Sequence, residues 1–333
     1  MPDKRKFKAM IIKEEDGKFF RHIGEKTVDE LPLGDVLIRV LYSSLNYKDA
    51  LSAAGNKGVT RRYPHTPGID AAGIVEESTV EQIKPGEKVL VTGFDLGMNT
   101  SGGFGQYIRV PSEWIVGLPE GLSLKESMIY GTAGFTAGLS LLRLEYMGLE
   151  PSDDEILVTG ATGGVGSLAV AILSNAGYKV TAATGKADKE NYLRTLGARI
   201  ILDRKDVDNP TGKALQPPRW GGVIDSVGGN ILATALKQTK YNCSVAACGL
   251  TQSPLINTWV YPFILRGVNL LGIDSAHCSI ETRLEVWNNL AGKWKSLTLD
   301  LIKHECVLEE LSEKIDLILQ GKITGRVVVN MEK

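Results

Sequence analysis

The sequence of 333 residues predicts an α/β protein of two domains: a partly open β-barrel domain and a doubly wound parallel-sheet domain. Three observations carry this. Over roughly the first 120 residues, short strand-like runs alternate with turn residues, as in a small barrel of hairpins. Beyond them, strands alternate with helical patterns, the mark of βαβ units. Between the first such strand and its helix stands a glycine-rich turn, Gly160-Ala161-Thr162-Gly163-Gly164-Val165-Gly166. The length agrees, at about 150 residues per domain.

Lys+Arg number 38 and Asp+Glu 39, a net charge of −1. That balance excludes a polybasic grip on nucleic acid. Glycine is in excess, 37 of 333 or about 11%, while proline is only 13, so the excess is not that of a disordered chain. Cys243, Cys248, Cys278 and Cys306 form no CxxC pair and read as thiols in a reducing compartment. The N-terminus has too short an apolar run for a signal peptide. Residues 156–178 and 241–265 lack charge, but glycine, proline and asparagine interrupt them, so they read as buried strands and turns rather than spans. A cytoplasmic protein without a membrane segment is expected.

In order, FKAMIIKE, DVLIRVLYSS, GIDAAGIVEES and KPGEKVLVTG are the first strand-like runs. The texture changes near Ser123, where Ser123 and Glu126 make a capping-box pair before one apolar helix, SLKESMIYGTAGFTAGLSLLRL. Then follow a strand over 156–160, the glycine turn, a helix (SLAVAILSNAG), a strand (YKVTAAT), a helix (ADKENYLRTLG) and a strand (ARIILD). GGVIDSVGG, ILATALKQT and NCSVAACG continue the alternation, and NTWVYPFILRGVNLLGID reads as apolar and strand-like. From about Leu299 a strand, a helix and the strand GRVVVNM close the chain, with no clear allegiance to either domain.

A strand, a glycine-rich turn and a helix in this order form a dinucleotide fingerprint. Ala161 holds its first glycine position, Gly163 and Gly166 the second and third. Missing side chains at Gly163 or Gly164 let the backbone approach a pyrophosphate, and Gly166 lets helix and strand pack closely. Thr162, Gly163, Gly164 and Val165 are thus cofactor-binding candidates at a helix N-terminus. An NAD site places an acid at the end of the second strand, and here stand Thr184, Gly185 and Lys186 instead. Two donors and a positive charge suit a 2′-phosphate, and Arg204 could add a bidentate contact. The expected cofactor is NADPH.

The order of SLNYKDAL, PGIDAAGIV, KPGEKVLV, GGFGQYIRV, the glycine turn and GRVVV resembles the medium-chain dehydrogenase/reductase superfamily over nearly the whole chain. SSLNYKD, the TGK and YPFILRGVNLLGIDS are similar to its YhdH/YhfP/AcuI group of quinone oxidoreductase-like proteins and NADPH-dependent acryloyl-CoA reductases. The resemblance implies a GroES-like barrel over 1–124, completed by about 299–333, and a Rossmann domain over 125–298. It also implies no metal: zinc-dependent members carry Cys at the position of Asn46 and His at that of Ile69. Further cofactor contacts implied are Tyr47, Thr132, Leu250, Ile264, Ser275 and Arg326, the last near the pyrophosphate. For the side chains of Leu250 and Ile264, simple core packing is the favoured reading.

Without a metal, hydride addition to the β-carbon of an alkene conjugated to a carbonyl needs hydrogen-bond donors for the enolate and a proton for the α-carbon. The catalytic candidates are Tyr47 as donor, with Asn46 and Asp49 organising the pocket or merely capping a turn. A short α,β-unsaturated acyl-CoA such as acryloyl-CoA is the favoured small-molecule substrate. The alternatives are a quinone or other enone, and a non-catalytic NADPH-binding protein. Lys57, Arg61 or Arg62 could hold a CoA phosphate. His65 reads as a surface or turn histidine. A homodimer through edge strands of the Rossmann sheet is expected from the resemblance.

Overall fold

The computed structural model describes residues 3–152, 154–209 and 212–333, and every count below refers to them. The chain forms two compact units. One comprises Met1–Thr132, Ala276–Leu284 and Lys303–Lys333, the other Ala133–Ser275 and Glu285–Ile302.

In the first unit, β1 (Lys6–Glu15) and β2 (Lys18–Thr27) form an antiparallel hairpin. Its turn is Asp16-Gly17, both at positive φ (50° and 74°), which matches the twist of the strands it joins. There follow β3 (Val36–Leu45), α1 (Tyr47–Ala53), β4 (Asp70–Ser78), β5 (Lys88–Thr92), β6 (Tyr107–Val110) and β7 (Val116–Gly117). β3 pairs β4, β4 pairs β5 and β5 pairs β7, all antiparallel, while β6 also lies on β3. Alternate residues of β3, Val36, Ile38 and Val40, enter a core with Val91, Phe104 and Ile108.

Helix α2 (Leu124–Tyr146) opens with the expected box: Ser123 N–H donates to Glu126 Oε2 (2.8 Å) and Glu126 N–H to Ser123 Oγ (3.1 Å). It is not one continuous helix. Gly131 breaks it at φ 49°, ψ −157°.

The second unit contains β8 (Glu155–Val158), α3 (Gly164–Asn175), β9 (Lys179–Thr184), α4 (Glu190–Thr195), β10 (Ile200–Asp203), α5 (Arg204–Val207), β11 (Trp220–Asp225), α6 (Gly229–Gln238), β12 (Thr239–Ala247), α7 (Tyr261–Arg266) and β13 (Asn269–Gly272). All six strands are parallel, in the order β10-β9-β8-β11-β12-β13. This is the doubly wound order in which the first and fourth strands flank the switch point, where such sheets bind ligands. The run over 257–274 departs from the strand-like reading. Its first part is the helix α7, favoured by Pro262 in the first turn and ended by Gly267 at φ 61°, and only four residues form β13.

β14 (Lys303–Val307), α8 (Leu311–Leu319) and β15 (Arg326–Asn330) return to the first unit. β15 pairs antiparallel with β3, Val327 opposite Leu45, so the terminal segment extends the first sheet. The units part at Thr132 rather than at residue 124, and Ala276–Leu284 lies with the first unit. Arg283 explains the second difference: its Nη1 donates to Thr92 O (2.8 Å), and Phe94 N–H donates to Ala276 O (3.1 Å).

Candidate active site

The end of β3, the start of α1 and the start of β4 bring a buried polar cluster together in the first unit. Asp70 is its hub. Its Oδ2 accepts from Ser44 Oγ (2.6 Å), Asn46 Nδ2 (2.7 Å) and Thr132 N–H (2.9 Å), and its Oδ1 from Thr132 Oγ1 (2.6 Å). Arg326 closes the cluster. Its Nη1 donates to Leu45 O and Asn46 Oδ1 (both 3.1 Å), its Nη2 to Ser44 Oγ (2.8 Å) and its Nε to Ile129 O (3.2 Å). The expectation of Arg326 at a pyrophosphate is therefore corrected: the guanidinium is buried and engaged within its own unit.

Gly131 is what allows Thr132 to reach Asp70. A Cβ there would stand 2.5 Å from Asp70 Oδ2 and from Ser44 Oγ, and 2.8 Å from Arg326 Nη2. The helix break, the glycine and the carboxylate are thus one device.

Asp49 lies on the inner face of α1. Its Oδ2 accepts from Asn46 N–H and its Oδ1 from Ile69 N–H, each at 2.8 Å. Burial and the nearby Asp70 charge push its carboxyl up to about 7, against the pull of those bonds. The cluster holds two carboxylates and one guanidinium, so a proton on Asp49 balances it near neutrality. Asn46 and Asp49 therefore cap α1 and also join the cluster. Tyr47 differs: it is 47% exposed, and its hydroxyl has no hydrogen-bond partner among the described residues.

In the second unit the glycine turn follows β8. Gly160, not Ala161, takes the left-handed conformation (φ 59°), one residue before the expected tight position. Gly163 N–H donates to Gly160 O (2.9 Å) and closes the turn. A Cβ at Gly166 would fall 2.2 Å from Gly160 O, so no side chain fits. At Gly163 it would meet only Gly160 O, at 3.3 Å, leaving its other side open to a ligand. α3 starts at Gly164 with no side-chain cap, and Val165 is in its first turn. Thr162 Oγ1 and Thr184 Oγ1 lie 3.1 Å apart, tying the turn to the end of β9.

At that end, Lys186 N–H donates to Thr184 Oγ1 (3.1 Å). The Arg204 guanidinium runs alongside Gly185, 3.5 Å from where a Cβ would be. Asp203, the register partner of Thr184, turns its carboxylate to the Lys205 N–H (2.8 Å). Partial burial and the Lys189 charge pull the Lys186 ammonium below its usual range. Opposite the turn, Asp225 accepts from Thr159 Oγ1 (2.6 Å) and Gly228 N–H (2.7 Å) at the end of β11.

Leu250 and Ile264 are exposed, 61% and 68%, which corrects the core-packing expectation for both. Ser275 is half-buried at the end of the second unit's longer segment. His65 is buried rather than superficial, with Nε2 2.8 Å from Gly97 O, and burial lowers its pKa. Sequence reasoning missed Asp70, Ser44 and Gly131. An aspartate opening an apolar strand, in PGIDAAG, was the available signal.

The alcohol dehydrogenase GroES-like domain matches residues 32–120, and the zinc-binding dehydrogenase domain residues 164–291. Acrylyl-CoA reductase AcuI of Ruegeria pomeroyi is 43% identical over 327 residues, 98% of this chain and 99% of that protein. The crystal structure of Bacillus subtilis YhfP with NAD bound is 44% identical, with a TM-score of 0.96 over 98% of this chain and 99% of that one. That of the YhdH oxidoreductase from Salmonella enterica in complex with NADP is 41% identical, with a TM-score of 0.94 over 97% and 99%. Fold and site together define an oxidoreductase with a GroES-like unit and a Rossmann-type unit. The chain belongs to the medium-chain dehydrogenase/reductase superfamily, in its YhfP/AcuI group.

One of the matching domains is named for zinc, and the residues here do not fit that metal. Asn46 and Ile69 offer neither thiolate nor imidazole, and among the described residues no three His, Cys, Asp or Glu side chains converge as ligands.

Proposed function

We propose that the protein is an NADPH-dependent reductase that adds hydride to the activated C=C bond of a short α,β-unsaturated acyl-CoA such as acryloyl-CoA. The observation that carries the reading is the pairing of an uncapped glycine turn with a β9 end that carries Thr184 and, just beyond it, Lys186, with no acid of its own and with the Arg204 guanidinium from the start of α5 alongside. A relative 43% identical over nearly its full length is an acrylyl-CoA reductase.

NADPH, when bound, supplies the hydride. Gly164 and Val165 would offer backbone N–H groups to its pyrophosphate, with the bare Cα of Gly163 leaving room for its approach and Thr162 beside them. Thr184, Gly185, Lys186 and Arg204 take its 2′-phosphate. Leu250, Ile264, Thr132 and Ser275 are the proposed contacts toward the nicotinamide. Tyr47 donates a hydrogen bond to the thioester oxygen as charge develops there, and a proton then reaches the α-carbon from Tyr47 or water. Asn46 and Asp49 act through Tyr47, by holding the first turn of α1. No step uses a metal, in keeping with the residues at positions 46 and 69.

The reading includes a cytoplasmic homodimer. β13 is a sheet edge, and Trp259, Tyr261, Ile264 and Leu265 just before it are exposed. Light scattering on the purified protein tests this, and a monomer at micromolar concentration contradicts it.

The activity is tested by following NADPH absorbance with acryloyl-CoA and, separately, with a quinone. Turnover of the thioester, and its loss of about tenfold or more in Tyr47→Phe, is expected. Turnover of the quinone alone overturns the acyl-CoA reading, and tight NADPH binding with neither turnover points to a non-catalytic role.

A further inference from the structure

We infer that Arg61 and Arg62 form the phosphate subsite for the adenosine end of an acyl-CoA substrate, an assignment that rests on the reading of function above. The loop that carries them is fixed to α1 at several points. Asn56 N–H donates to Leu51 O and Thr60 N–H to Asn56 O, both at 3.0 Å. The fully buried hydroxyls of Ser52 and Thr60 lie 2.6 Å apart, and Tyr63 Oη donates to Ser52 O (2.7 Å). Arg61 N–H donates to Asn99 Oδ1 (3.3 Å). The Tyr63 ring meets Phe19 edge-on at 4.9 Å.

The three cations of the loop are not equivalent. Lys57 Nζ is 2.5 Å from Glu14 Oε2, and it stands over the rings of Phe19 and Tyr63 at 5.3 and 4.7 Å. Its charge is thus paired at the surface within the protein's own side chains. Arg61 and Arg62 are exposed, and among the described residues neither side chain has an acidic, aromatic or hydrogen-bonding partner. Elsewhere Arg5, Arg21, Arg39, Arg194 and Arg219 each hold a carboxylate. Two adjacent guanidiniums are thus left without an acidic partner, among the described residues, on a pinned loop.

The spacing suits a long substrate. α1 runs from Tyr47 toward this loop and is roughly 10 Å long at its rise per residue. The thioester and the phosphates of CoA are separated by the pantetheine arm, so a site for the one must stand away from a site for the other. Two planar guanidiniums match phosphate oxygens bidentately, where an ammonium offers only a point charge. The 3′-phosphate and the pyrophosphate of CoA are the anions available.

The test is the double variant Arg61→Ala/Arg62→Ala in the full chain, assayed with NADPH on acryloyl-CoA, its 3′-dephospho form and acryloyl-pantetheine. Neither side chain supports the fold, and neither stands in the catalytic or cofactor machinery. KM for acryloyl-CoA is expected to rise about tenfold with kcat unchanged, while KM for acryloyl-pantetheine and for NADPH stays put. Added salt should shrink the difference. If the dephospho form already behaves as the pantetheine does, the 3′-phosphate is the anion held; if it behaves as the intact CoA does, the pyrophosphate is. An unchanged KM for acryloyl-CoA, or an equal rise for acryloyl-pantetheine, overturns the assignment alone. Wild-type protein that reduces no thioester overturns the functional reading and this assignment with it.

Discussion

Arg326 Nη2 lies 3.6 Å from Asp70 Oδ2, with both side chains buried in the first unit. The two groups do not meet in an isolated pair. Ser44 stands between them, accepting from Arg326 and donating to Asp70, and Asn46 touches both. Removing one charge strands the other, which in buried pairs costs about 3–5 kcal/mol. Arg326→Met should therefore lose about that much stability in urea unfolding. A loss below about 1 kcal/mol would mean that water replaces the guanidinium.

Gly131→Ala should be among the most damaging single changes in this unit. It meets both obstacles at once: a positive φ and a Cβ 2.5 Å from two buried oxygens. A destabilisation of about 2 kcal/mol or more is expected in the same unfolding assay. Gly86→Ala is the control, since its φ of 91° comes with open space and leaves only the backbone strain of about 1 kcal/mol. Equal effects at the two positions would sink the account of the helix break.

Asp49 gives a pH signature. Its folded-state pKa is raised to about 7, well above the ordinary carboxylate range, so the folded state holds the proton more tightly than the unfolded chain. That contribution to stability is complete at pH below the ordinary carboxylate value and is lost as pH rises to about 7. The stability of wild type relative to Asp49→Asn should thus fall between pH 4 and pH 7.5, read by urea titration at each pH. An offset that does not vary with pH, or one that grows, contradicts the assignment.

Lys186 carries the cofactor choice. Lys186→Ala should weaken NADPH about tenfold and leave NADH nearly unchanged, by fluorescence titration. Since the relative YhfP was crystallised with NAD and YhdH with NADP, the ratio of the two affinities in wild type is itself informative. Tighter binding of NADH would overturn the reading of the β9 end.

The second unit was largely legible because its signals are local. Each βαβ step leaves a period in the chain, and the glycine turn lies between a strand and a helix that both announce themselves. The exception was 257–274, where a general apolar run hid a short helix that Pro262 and Gly267 mark once their positions are read as first turn and C-cap. β2 went unread, although Asp16-Gly17 between two alternating runs is a strong hairpin signal. The polar cluster was legible only in part. Asn46 and Asp49 share one helix turn, but Asp70, Thr132 and Arg326 come from distant parts of the chain. Their meeting depends on the pairing of β15 with β3 and on the break at Gly131, and no sequence period reports either.

Hydride addition to the β-carbon of the thioester leaves an isotopic record in the product. The enzyme is given acryloyl-CoA and NADPH deuterated at the transferring C4 position, and the product is examined by NMR. Propanoyl-CoA with one deuterium on the β-carbon and a solvent-derived proton on the α-carbon is the expected product. Deuterium at the α-carbon, or NADPH oxidation without deuterated propanoyl-CoA, would contradict it.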